Sequence, residues 1–142
     1  MPEDRQRILL VEDDDDHAEL VGRAVSDLGL AVELVRLVDG AQALDFLHRR
    51  APFTDVPLPD VILLDLRLPR VDGLEVLDQI KTSPELQSLP VVVMTTSAAE
   101  RDVVRAYESR VNAYVVKPVD AQVLQQMVRD IGIFWVGWNR KP

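Results

Sequence analysis

"ILLVEDDDD", residues 8–16, sets four apolar residues directly against five carboxylates. The apolar run shows no polar alternation, so it reads as a strand buried on both faces, the pattern of a parallel sheet covered by helices. Acids that converge at the end of such a strand are costly. Two carboxylates about 4 Å apart repel by roughly 4 kcal/mol at an effective dielectric of about 20. A solvated helix start accounts for part of the run, because acidic side chains sit well against the positive end of a helix dipole. The rest depends on what else the chain brings to that strand end.

Outward from this stretch, short apolar runs alternate with segments of helical period. Residues 14–28 carry Val21, Ala24, Val25 and Leu28 on one helical face, closed by Gly29. Strands are expected at 31–37, 61–64, 91–95 and 113–116. Helices are expected at 42–49, after Asp72-Gly73, at 99–109 and over the stripe Val123, Leu124, Met127, Val128, Ile131. The fourth helix has a thin inward stripe of Val103, Ala106 and Tyr107, and Pro52, Pro57 and Pro59 mark a loop. Five strand–helix units in alternation imply an α/β fold: a doubly wound, five-stranded parallel sheet with helices on both faces. In such sheets a site lies beyond the carboxyl ends of the strands.

Composition narrows the classes. With 142 residues the chain is one domain with a sizeable core, and its 47% hydrophobic and 28% charged residues are ordinary for a globular protein. A net charge of -8 disfavours direct binding of nucleic acid. The chain has no cysteine, so disulfides and thiolate chemistry are excluded. No signal-peptide pattern or apolar run of membrane-spanning length occurs, which makes the cytoplasm the expected compartment.

The strand ends carry the chemistry. Glu12 and Asp13 follow the first strand, Asp65 the third, Thr95, Thr96 and Ser97 the fourth, and Lys117-Pro118 the fifth. Singly, each has an ordinary reading as a turn residue, a helix cap or a surface lysine. Together they surround one crevice with three carboxylates, a hydroxyl and an amine. Hard oxygen donors of this kind suit Mg²⁺, and no imidazole or thiolate is expected beside them to favour zinc. Glu12 and Asp13 are thus expected to complete a metal site, while Asp14, Asp15 and Asp16 open the first helix. Phosphoryl transfer fits the set, with Asp65 as nucleophile and Lys117 and Thr95 engaging phosphoryl oxygens.

At this point the chain resembles the receiver domains of two-component response regulators. The resemblance rests on "ILLVEDDDD", "PDVILLDLRLPRVDGLEVL" (59–77), "LPVVVMTTS" (89–97) and "AYVVKPV" (113–119), which together run from about Ile8 to Ile131. It implies a flavodoxin-like sheet of strand order 2-1-3-4-5, with 6–132 as the receiver domain. It also implies Asp65 as phosphoacceptor, Mg²⁺ held by Glu12, Asp13, Asp65 and the backbone carbonyl of Arg67, and Asp13 as the more direct of the acidic pair. Thr95 would be the switch hydroxyl, Tyr114 the rotating aromatic, Lys117 the site lysine and Pro118 a cis-proline. Glu12 departs from the aspartate common in the family. Arg67 and Ser97 fill positions that in the family tune phosphate lifetime. The phosphorylated state would alter the face made by the fourth helix, fifth strand and fifth helix.

The chain closes on "GIFWVGWNRKP" (132–142), so output is expected through a partner or a change of assembly. Residues 133–142 form an aromatic tail, with Phe134, Trp135 and Trp138 as candidate interface residues and packing onto the core as the competing reading. The proline loop and this tail resemble the small regulators that serve phytochrome-like histidine kinases, which implies a sensor histidine kinase partner and a homodimer. A Mg²⁺-dependent phosphohydrolase is the enzymatic alternative, weakened because Arg67 stands where an Asp-x-Asp acid/base would be. A flavodoxin-like carrier is disfavoured by acids where a phosphate loop would lie, and a P-loop kinase by the missing motif.

Overall fold

The computed structural model describes residues 5–140. Strands β1 (Gln6–Val11), β2 (Val32–Leu37), β3 (Val61–Leu64), β4 (Val91–Thr95) and β5 (Ala113–Val116) alternate with helices α1 (Asp15–Ser26), α2 (Gly40–Leu47), α3 (Gly73–Thr82), α4 (Glu100–Glu108) and α5 (Ala121–Gly132). All pairings are parallel and the order is β2-β1-β3-β4-β5. The sequence expectation of a 2-1-3-4-5 sheet therefore holds, with helix ends shifted by one or two residues. Such shifts are usual where end turns fray.

Because side chains alternate across a strand, the sheet divides two cores. Leu9, Val11, Ile62, Leu64, Val91 and Val93 face the layer that contains α2, α3 and Ala106 of α4. Ile8, Leu10, Val61, Leu63, Val92 and Met94 face α1 and α5. Each fully buried aliphatic side chain of this kind contributes about 1.5–3 kcal/mol relative to leaving it in water. Residues 8–11 of β1 and the whole of β3 and β4 are buried because both faces are covered, whereas the edge strands β2 and β5 are mostly half-buried.

The same alternation sorts the residues at the strand ends. Val11 pairs with Leu64, so the residues that follow, Glu12 and Asp65, leave the sheet side by side. Thr95 pairs with Val116, which sends Lys117 out at the same edge. Continuing the alternation, Glu12, Asp65 and Lys117 fall on the α1/α5 side, whereas Thr95 and Tyr114 fall on the α4 side.

Helix starts bring the loops close. Asp14 caps α1 by accepting from the N–H of His17, Asp39 caps α2 through Gln42, and Asp120 caps α5 through Gln122 and Val123. Gly73 begins α3 so near the loop after β3 that a Cβ there would lie 2.2 Å from the Asp65 carbonyl oxygen.

Several expectations need correction. The cis X-Pro bond is Ala51–Pro52; Lys117–Pro118 is trans. Lys117 meets its partners with the isomer that is favoured by about 0.5–1 kcal/mol even before proline, and its N–H donates to the Thr95 carbonyl at 2.7 Å. Tyr107 was expected inward, yet it is exposed, and α4 buries only Asp102 and Ala106. The tail continues α5 as a π-helical stretch, Ile133–Trp138. Trp135 and Val136 pack on the α1/α5 core, while Phe134 and Trp138 face outward. Lys141 and Pro142, the end of the expected tail, lie outside the described residues.

Candidate functional site

β1 delivers Glu12 into the crevice, where it is 1% exposed. Its Oε2 accepts from the N–H of Asp14 at 3.2 Å, so the start of the loop to α1 fixes the carboxylate. Its Oε1 lies 2.5 Å from Lys117 Nζ. Asp65, 9% exposed, stands at the end of β3. There its Oδ1 accepts from the N–H of Arg67 at 3.3 Å and its Oδ2 lies 3.2 Å from the same Lys117 ammonium. Asp13 is exposed at the rim. Carboxylate oxygens of Glu12, Asp13 and Asp65 all fall within 4.8 Å of one another.

The charge in this cluster is not balanced. One ammonium faces three carboxylates, and Glu12 has left water almost completely. Burial, with the nearby Asp65 charge, pushes the Glu12 carboxyl up from 4.5 to about 7 against the opposing pull of the Lys117 hydrogen bond and charge. A cation of hard character removes both problems, since it supplies the missing positive charge and accepts oxygen donors. The donor set is all oxygen, which fits Mg²⁺ or Mn²⁺ far better than a thiolate-seeking metal.

On the α4 side, Thr95 is fully buried and its Oγ1 accepts from the N–H of Ser97 at 3.3 Å. Tyr114 lies partly buried against the core, and its hydroxyl donates to the Ser97 carbonyl at 2.8 Å. Its ring therefore already points inward toward the β4–α4 loop.

The crevice thus gathers Glu12, Asp13, Asp65 and Lys117, with Thr95 and Tyr114 along its α4 wall. Two further residues escaped the sequence reading. His17, in the first turn of α1, places Nδ1 3.0 Å from Lys117 Nζ, so an imidazole does border the site, contrary to expectation. Its only sequence signal was its place three residues after the capping Asp14. Asp102 lies in the first turn of α4 and accepts from both Arg67 and Ser97. An acid in a first helical turn is so ordinary that nothing in the sequence marked it.

Comparison with known proteins places this geometry. The model of the response regulator receiver domain matches residues 8–129. The chain is 49% identical over 140 residues to the "Probable methanogenesis regulatory protein FilR2" of Methanothrix harundinacea, covering 99% of this chain and 90% of that protein. The crystal structure of the phosphorylated cyanobacterial phytochrome response regulator RcpA superposes with a TM-score of 0.95 at 37% identity, covering 97% of this chain and 99% of that one. The Mn²⁺-bound form of response regulator Rcp1, a protein of Synechocystis sp., gives 0.93 at 42% identity, covering 96% and 99%. Receiver domains hold Mg²⁺ or Mn²⁺ in an acidic pocket, and the cluster of Glu12, Asp13 and Asp65 is of that kind. With the sheet order, the acidic pocket and the family match in agreement, this chain belongs to the response regulator receiver domain family.

Proposed function

We propose that Asp65 is the phosphoacceptor of this receiver domain and takes its phosphoryl group from the phosphohistidine of a sensor histidine kinase. The two-component phosphorelay role belongs to the family, whose members are phosphoacceptor switches. The observation that carries the assignment to Asp65 is its position. It contacts the Lys117 ammonium at 3.2 Å within the acidic cluster, as Glu12 also does, but it alone of the cluster stands at the end of the central strand, β3. Glu12 follows the neighbouring strand β1 and is more deeply buried than Asp65.

In the transfer, an Asp65 carboxylate oxygen forms a bond to phosphorus as the P–N bond to the kinase histidine breaks. The departing imidazole takes up a proton from solvent. Lys117 holds the Asp65 carboxylate in place and offers its charge to a phosphoryl oxygen. Thr95 stands ready to donate its hydroxyl to another. Glu12, Asp13, Asp65 and the Arg67 carbonyl would hold Mg²⁺. When bound, the ion supplies charge neutralisation for the phosphoryl oxygens. Arg67 leaves no acid/base two residues beyond Asp65, so nothing favours a phosphohydrolase.

A phytochrome-like kinase is the partner we infer, because RcpA, a regulator of that description, is so similar over almost its whole length. The proposed output face comprises α4, β5 and α5, where Val104, Tyr107, Val119 and Val123 are exposed; in the tail Phe134 and Trp138 are exposed as well. A second copy of the chain is its proposed occupant, consistent with a homodimer. No helix among the described residues is long and apolar enough to cross a membrane, and the cytoplasm remains the proposed location.

The test is labelling with acetyl phosphate and Mg²⁺. One phosphate per chain, lost in Asp65→Asn, is expected. Continued turnover of many phosphoesters per chain would refute the switch reading.

A further inference from the structure

Arg67 begins at the site but reaches away from it. Its N–H donates to Asp65 Oδ1, whereas its guanidinium Nη2 donates to Asp102 Oδ2 at 2.6 Å. Nη1 stands 4.0 Å from Asp72 Oδ1. Asp102, only 3% exposed, is an uncommon place for a carboxylate. The same Oδ2 accepts from the Ser97 hydroxyl at 2.6 Å, and Ser97 Oγ in turn accepts from the N–H of Ala99. Helix α4 has no side-chain cap at Ala99 and buries little else than Asp102 and Ala106. Its first turn is therefore fixed to the sheet mainly by one carboxylate and the two groups that satisfy it.

We propose that Arg67 and Asp102 form a charge latch between the phosphoacceptor loop and α4, which opens when a phosphoryl group on Asp65 draws the Arg67 guanidinium away from Asp102. This rests on the reading of Asp65 as phosphoacceptor. A phosphoryl group brings up to about two negative charges and three acceptor oxygens, against the single charge of Asp102. Arginine binds either partner through the same planar fork. The Arg67 side chain is 53% exposed and begins two residues from Asp65, so it has both the freedom and the reach to change partners. Asp102 is then left with Ser97 alone. A buried carboxylate that has lost its cation no longer offsets the cost of its own desolvation, and the first turn of α4 loosens. Because the guanidinium cannot serve both groups at once, each weakens the other's hold on it, and this is the coupling between site and helix.

Hydrogen exchange of the α4 amides, residues 99–106, tests the latch. Wild type, Arg67→Ala and Asp102→Asn are measured free and with saturating Mg²⁺ and beryllofluoride, whose binding is read independently by fluorine NMR. In wild type, beryllofluoride should speed exchange of the first turn about five- to tenfold, the effect expected for loss of a half-exposed charged hydrogen bond. Free Arg67→Ala and free Asp102→Asn should already exchange at that faster rate, and beryllofluoride should add nothing. Arg67 is half exposed, so its truncation leaves the core untouched. Beryllofluoride that binds wild type while α4 exchange stays unchanged or slows overturns the latch alone. So does a free Arg67→Ala protein with wild-type exchange. Failure of beryllofluoride to bind wild type refutes the Asp65 reading, and the opening of the latch with it.

Discussion

Glu12 concentrates the electrostatic tension of the site in one residue. Its carboxyl, raised from 4.5 to about 7 mainly by burial, is easier to protonate in the folded chain than in the unfolded one. Through linkage, the metal-free protein has the full Glu12 contribution to stability below about pH 4.5 and loses it as the pH climbs through about 7. Denaturant unfolding in a chelator should therefore show stability falling over that window, and added Mg²⁺ should remove the fall. Proton and metal compete for the same oxygens, so apparent Mg²⁺ affinity should drop about tenfold from about pH 8 to about pH 6. Titration calorimetry at the two pH values measures it, and a flat response would show that Glu12 is not a ligand. Glu12 was legible as a site residue because it follows an unbroken apolar run. Its raised proton affinity was not, because that depends on how tightly the neighbouring strands enclose it.

At the scale of elements, the loop from β3 to α3 is the part built with the least slack. Gly73 lets the helix start press on the Asp65 carbonyl, and a Cβ at that position would meet it at 2.2 Å. Gly73→Ala should cost about 2–4 kcal/mol in stability, because the obstacle is backbone that cannot rotate aside. It should also weaken Mg²⁺ binding by shifting Asp65, and urea melts with metal titration read both effects. Most strands were legible from short apolar runs bounded by polar residues. The helix ends were legible from Asp14, Asp72 and Gly29. What the pattern could not give was the direction of side chains in a helix's first turn, so His17 and Asp102 went unread. The Lys117–Pro118 isomer was equally hidden, since the two forms differ by only about 0.5–1 kcal/mol and tertiary contacts decide between them.

For the whole molecule, the receiver architecture places chemistry at one edge of the sheet and exposed apolar surface on the α4–β5–α5 face. The tail continues α5 and passes close to Leu28 and Leu30, ahead of β2. Its helical form was not legible, because two glycines and several aromatics make "GIFWVGW" a poor helix former and packing overrides propensity. That packing also separates the tail's two tryptophans. Trp135→Ala should cost about 2 kcal/mol in chain stability, because its ring lies on the core. Trp138 is 79% exposed, so Trp138→Ala should leave stability within about 0.5 kcal/mol while lowering the mass seen by light scattering. An unchanged mass would remove Trp138 from the proposed dimer contact. All of this surface is of use to a signalling protein only if one carboxylate receives the phosphoryl group. Borohydride reduces an acyl phosphate to the alcohol and spares free carboxylates, so it marks the modified aspartate permanently. After treatment with acetyl phosphate and Mg²⁺, reduction and peptide mass mapping should find homoserine at position 65. Aspartate unchanged at 65 in protein that carries phosphate, or homoserine at position 13, would contradict the assignment.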